Sequence, residues 1–206
     1  MRRLPRSFFR RPVLEVSADL LGRHLAHGGV TVRVTETEAY AGLVDPASRV
    51  LSRPTAHNAP VFGAPGHAFV YFTYGHHWML CLVTGEVGVP EVVLVRAGEV
   101  VDGHEVAAAR RPGVRERDWC RGPGRLTSTL GVTGALSGVD LCDRDSPVAV
   151  GHGQGLGHEP DGLLRTGPRV GVSGPGGDGT AYPWRFWVDG DPTVSPYRPG
   201  VVRPRR

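Results

Sequence analysis

A chain of 206 residues and 22.1 kDa, 40% hydrophobic and 21% charged, is long enough to bury its own core and reads as one domain over 1–206. No apolar run reaches the roughly 20 residues of a membrane span, and the opening MRRLPRSFFRRPVLEV lacks a signal peptide's apolar core, so the expected location is cytoplasmic. The net charge of +4 fits a polyanion partner: Arg2, Arg3, Arg6, Arg10 and Arg11 crowd one end and Arg198, Arg203, Arg205 and Arg206 the other, giving basic ends (about 1–10 and 197–206) with room to flex.

In chain order, Pro12–Leu21 reads as a helix, with Pro at its start, an apolar side of Val13, Leu14, Val16, Leu20 and Leu21, and Gly22 just past its end. Val30–Tyr40 reads as a strand. Leu43–Pro65 shows no period and reads as a long ordered loop of the kind that carries function. AFVYFTYGHHWMLCLVTG reads as a β-hairpin with its tip at Tyr74-Gly75, and EVVLVRAGE as a strand ending at Arg96. Short helices are expected around Glu105–Arg111 and in GPGRLTSTLGV. Glycine loops are expected at 151–157 and in SGPGGDGT, and a closing strand and turn in YPWRFWVDG. The sum is a mixed α/β (α+β) domain built on antiparallel pairing.

Cys81, Cys120 and Cys142 form no C-x-x-C pair, and of nine histidines only His76 and His77 are neighbours, so neither a disulfide framework nor a metal centre is expected, and no cofactor is implied. The chemistry concentrates in VTVRVTETEAY. Read by twos, Val30, Val32, Val34, Glu36, Glu38 and Tyr40 share a face, and residues i and i+2 on a strand lie about 6.5–7 Å apart, so the two carboxylates can share one cleft. In such a pair the less solvated acid can act as a base near neutrality while the other holds backbone or an arginine; a strand end surfacing into solvent is the plainer alternative.

An aromatic hairpin, a long loop and a basic surface suit an enzyme acting on an extruded base. ETEAY, DPAS, T-x-x-N, FGAPGHAFVYFTYG, LVRAGE, CRGPGRLTSTLGV, RVGV and PWRFWV, in that order over almost the whole chain, resemble the alkyladenine (3-methyladenine) DNA glycosylase family. The resemblance implies a single domain with a curved antiparallel sheet, a protruding hairpin and surrounding helices. It also implies a monomer that flips damaged purines from double-stranded DNA and hydrolyses their N-glycosidic bond. By the same resemblance Glu38 is the general base that activates water and Arg96 helps position that water. Tyr40 and Tyr71 stack on the flipped base, Tyr74 wedges into the vacated space, and Glu36 is structural. All 24 basic side chains are arginine, which leaves only the N-terminal amine for imine chemistry and favours simple hydrolysis.

Four positions depart from the family pattern. Arg49 stands where a His is usual and can pair with Glu38 or swing to a phosphate. His57 replaces an Arg in Thr55-Ala56-His57-Asn58, and Phe69 replaces a Tyr. By the resemblance, Cys81 falls at the place of an Asn that guards against excising normal guanine, which predicts a broader or shifted purine specificity, with core packing as the alternative role. Three readings stay open: an active purine-lesion glycosylase, an attenuated lesion-binding protein, and a glycosylase re-specialised for a bulky adduct.

Overall fold

The strand periodicity of Val30–Tyr40 organises the molecule. In a computed structural model, which describes residues 1–48, 53–73, 75–152 and 163–201, the chain forms α1 (Arg6–Phe9), α2 (Val13–Asp19), β1 (His24–His27), β2 (Val30–Tyr40), β3 (Ala68–Thr73) and β4 (His77–Thr84). It continues through β5 (Glu91–Asp102), α3 (His104–Arg110), α4 (Pro123–Leu130), β6 (Ala149–Gly151), β7 (Leu164–Gly167) and β8 (Arg185–Val188). All strand pairings among the described residues are antiparallel. The order is β3-β4-β5-β2-β1-β6, with β8 joining the second half of β2 and β7 lying outside β8. The mixed α/β class and the hairpin are thus as the sequence indicates.

The single face expected for β2 is not what forms. Val34 pairs with Gly98 and Glu36 with Ala97, leaving Thr35 as an extra residue on β2. Thr37 then pairs with Val95, leaving Arg96 as an extra residue on β5. These two bulges reset the alternation, since an inserted residue shifts everything beyond it to the opposite face. Val30, Val32, Val34 and Ala39 therefore enter the main core, and Thr37 joins them, bonded to Ser17 of α2 through both its hydroxyl and the Ser17 carbonyl. Glu36, Glu38 and Tyr40 turn to the other side. Nor does β5 end at Arg96: it runs on to Asp102, because the bulge lets its second half pair with the first half of β2.

The main core fills the face carrying α2 and α4, with Phe9, Val16, Leu20, Leu80, Leu126 and Leu130 fully buried. Burying each such side chain contributes roughly 1.5–3 kcal/mol. A smaller apolar cluster of Val61, Phe69, Met79, Cys81, Val83, Val92 and Leu94 lies on the opposite face. The N-terminal segment, read from sequence as a basic end with room to flex, is stitched into the body. Phe9 is fully buried, Arg3 donates to the carbonyls of Leu141, Ser146 and Val148, and Arg6 pairs with Asp140.

Helix α4 lies against the tip end of the hairpin: Thr127 Oγ1 donates to the carbonyl of Trp78, which pairs with Phe72. A Cβ at Gly124 would sit 2.6 Å from His77 Cγ, so only glycine lets the His77 ring lie there. Around α4, residues 110–125 hold six arginines against two carboxylates, an excess equal to the net charge of the whole chain. Four of them, Arg115, Arg117, Arg121 and Arg125, surround Asp118 within 4.0 Å.

Candidate active site

One row of paired residues crosses the sheet beneath the site: Phe69, Cys81, Leu94, Glu38, Arg185 and Gly167, on β3, β4, β5, β2, β8 and β7 respectively. Directly paired residues point the same way, so this row places Glu38 between an apolar floor and an arginine. The bulge at Arg96 swings a second guanidinium into the same space.

Both carboxylates of β2 are fully buried, and they differ in what holds them. Glu36 accepts from Arg96 Nε (2.8 Å), Arg185 Nε (2.8 Å), the Ser195 amide (2.8 Å) and Ser195 Oγ (2.9 Å). Three of these donors converge on Oε1 and one on Oε2, and two of them are guanidiniums. Burial pushes the Glu36 carboxyl up, but Arg96, Arg185 and Ser195 outweigh it and hold it below its ordinary value. Glu36 is thus a locked anion.

Among the described residues Glu38 accepts two hydrogen bonds, from the Val170 amide on Oε1 (2.7 Å) and the Tyr40 hydroxyl on Oε2 (2.8 Å), and forms an ion pair with Arg96, whose Nη1 lies 3.2 Å from Oε2. With one hydrogen bond on each oxygen, the Glu38 carboxylate keeps acceptor capacity that these bonds do not use. Burial opposes the charge on Arg96, but Glu38 and Glu36 together more than offset it, so its proton is held more tightly than in water. The same burial, with the Glu38 anion beside it, raises the Tyr40 hydroxyl well above its ordinary value, so Tyr40 stays a donor.

Tyr71 stacks on Phe69 at 5.4 Å between ring centroids, and the His57 ring meets Phe69 edge-on at 6.2 Å, forming an aromatic ladder beside the apolar floor. The loss of a hydroxyl at Phe69 leaves that stack intact. Cys81 is fully buried in the floor. Burial first and Glu38 second push its thiol far up, so it stays a neutral, apolar-acting side chain. Arg49 and Tyr74 lie outside the described residues, as do Arg203, Arg205 and Arg206.

Several participants were not singled out from sequence. Arg169 is fully buried and grips Asp45 with two hydrogen bonds of 2.7 and 2.8 Å. It also donates to the carbonyls of Ala39 and Gly176. Its guanidinium carbon lies 4.7 Å from the Tyr40 ring centroid and 5.2 Å from that of Trp184. Asp45 and Arg169 stand in the DPAS and RVGV stretches and Arg185 in PWRFWV, motifs that did not reveal that these segments meet. Asn58, in the T-x-x-N stretch, serves its own turn, accepting from the Thr55 amide and hydroxyl. Among the described residues, no cluster of His, Cys, Asp and Glu has the makings of a metal site, and no helix is long and apolar enough to cross a membrane.

Residues 7–192 match the family model for methylpurine-DNA glycosylase. A Streptomyces avermitilis protein named "Putative 3-methyladenine DNA glycosylase" is 47% identical, covering 98% of this chain and 95% of its own length. Proteins of the same name from Frankia casuarinae and Methanocella arvoryzae are 48% and 41% identical, each aligned over 97% of this chain and over 93% and 98% of their own lengths. The match along nearly the entire chain makes it a member of the methylpurine-DNA glycosylase family.

Proposed function

We propose that this protein is a monofunctional DNA glycosylase of the 3-methyladenine type, acting as a monomer on damaged purines in double-stranded DNA, with Glu38 as general base. The observation that carries this is the contrast between two buried carboxylates on one strand. Glu36 accepts four hydrogen bonds and pairs with two guanidiniums, whereas Glu38 accepts two and pairs with one, keeping acceptor capacity for an attacking water.

In this reading the extruded purine stacks against Tyr40 and Tyr71, and Tyr74 fills the gap left in the duplex. As the bond between C1′ and the purine nitrogen breaks, its electron pair leaves with the purine and C1′ gains oxocarbenium character. Water held by Glu38 and Arg96 attacks C1′ and yields its proton to Glu38. The buried carboxylate also stabilises the cation as it develops. The absence of lysine supports hydrolysis over imine chemistry, and the arginine-rich stretch 110–125 beside the hairpin supplies charge for phosphates.

The test is single-turnover base release from duplexes bearing 3-methyladenine, 7-methylguanine, hypoxanthine or 1,N⁶-ethenoadenine, by the wild type, Glu38→Gln and Arg49→His. Release by the wild type that is lost in Glu38→Gln supports the assignment. A wild type that binds these duplexes without releasing a base, with release restored by Arg49→His, points instead to an attenuated lesion binder.

A further inference from the structure

We propose that Arg169 is a positioning residue for base excision, its guanidinium setting the ring of Tyr40 as a stacking platform while the adjoining Val170 amide fixes Glu38. The inference rests on the function proposed above.

Arg169 is the largest fully buried side chain of the protein. A buried cation needs partners, and four of its hydrogen bonds go to three separate segments: Ala39 on β2, Asp45 on the loop that follows, and Gly176 near the C-terminal side. The planar group lies near both aromatic rings, 4.7 Å from Tyr40 and 5.2 Å from Trp184, within the range of a cation–π contact. Ala39, whose carbonyl it holds, is the residue between Glu38 and Tyr40. The next residue along the chain, Val170, donates its amide to Glu38 at 2.7 Å. One dipeptide therefore reaches both side chains that the reaction uses.

The consequence for Tyr40 is steric as well as electrostatic. Its hydroxyl is fixed by Glu38, and its ring is approached by a guanidinium that Asp45 will not release. Tyr40 is half-buried, so the part left exposed is what an extruded base has to use. A ring held in one plane presents that part without a further loss of rotamer freedom on binding. Lysine cannot take over, because an ammonium is a point charge with neither the fork that grips Asp45 nor a plane to lay near a ring.

The experiment combines Arg169→Lys, Tyr40→Leu and the double variant, each assayed well below its melting temperature by saturating single-turnover release of 1,N⁶-ethenoadenine. In parallel, the ¹⁹F spectrum of 3-fluorotyrosine at position 40 is recorded in the wild-type and Arg169→Lys backgrounds. A displaced catalytic constellation loses about 10²-fold in rate. Arg169→Lys should lose about that much, with little further loss when added to Tyr40→Leu, and its fluorine signal should move to the averaged position of a freely flipping ring. Losses that multiply in the double variant, or an unchanged fluorine spectrum, would overturn the inference. If the wild type releases no base from any lesion, the function proposed above fails, while the fluorine spectrum still decides whether Arg169 holds Tyr40.

Discussion

Glutamine substitution at Glu36 and at Glu38 makes the same chemical change two residues apart, and the structure demands opposite consequences. Glu36→Gln removes the anion between Arg96 and Arg185, leaving Arg185 with no described carboxylate partner and placing an amide N–H₂ against donors. Breaking a buried pair costs about 3–5 kcal/mol. For a chain of this size each kcal/mol lowers Tm by about 2–4 °C, so a fall of about 6–20 °C is expected. Rate per folded molecule should stay within about tenfold of the wild type, because Glu38 keeps Tyr40, Val170 and Arg96. Glu38→Gln leaves Arg96 paired with Glu36, and the strain of one misplaced amide costs about 1–3 kcal/mol. Its rate should fall by about 10²–10⁴, the usual contribution of a positioned base and equivalent to roughly 2.7–5.4 kcal/mol of barrier. Calorimetric melts and single-turnover base release on the same preparations measure both. The reasoning is refuted if Glu38→Gln stays within tenfold of the wild type, or if Glu36→Gln is as silent as Glu38→Gln while melting with the wild type.

Acid should expose the same node. Thr193 and Arg33 overcome burial to hold Asp191 below its ordinary 3.8, as Arg96, Arg185 and Ser195 hold Glu36 below 4.5. Depressed carboxylates lend stability that is complete above the unfolded values and is lost as pH falls through the folded ones. Tm should therefore be flat from pH 7 to about 5 and fall below about 4.5, with a shallower fall in Glu36→Gln; an equally steep fall there would contradict the assignment. Burial lifts the Cys120 thiol to about 11 and Cys81 further still, whereas Cys142 is only partly buried. A disulfide reagent at pH 8 should therefore label Cys142 first and the other two only on unfolding. Cys81→Asn should narrow the purine range, seen as reduced release of guanine lesions relative to adenine lesions; an unchanged ratio assigns Cys81 to packing alone. If the stretch 110–125 meets phosphates, Arg115→Ala with Arg117→Ala should flatten the plot of log affinity against log salt by about one per lost contact, and a parallel line would exclude that surface.

The elements were legible where local rules govern them. Pro12 and Gly22 bracket α2, two apolar aromatic runs meeting at Tyr74-Gly75 marked β3 and β4, and ETEAY with its companion motifs pointed to the family. The facing of that strand was not legible. The period-two pattern runs unbroken through Val34 and Glu36, yet the bulges at Thr35 and Arg96 send the valines to the core and the glutamates to the site. A bulge is a relation between two strands, and neither strand's own sequence contains the register of the other. For the same reason Arg185, Ser195 and Arg169 went unnoticed as partners of β2: they lie 130 or more residues away along the chain. Local sequence chose which side chains could do chemistry; only the folded sheet decided which of the two carboxylates took four hydrogen bonds and two arginines and which took two hydrogen bonds and one arginine.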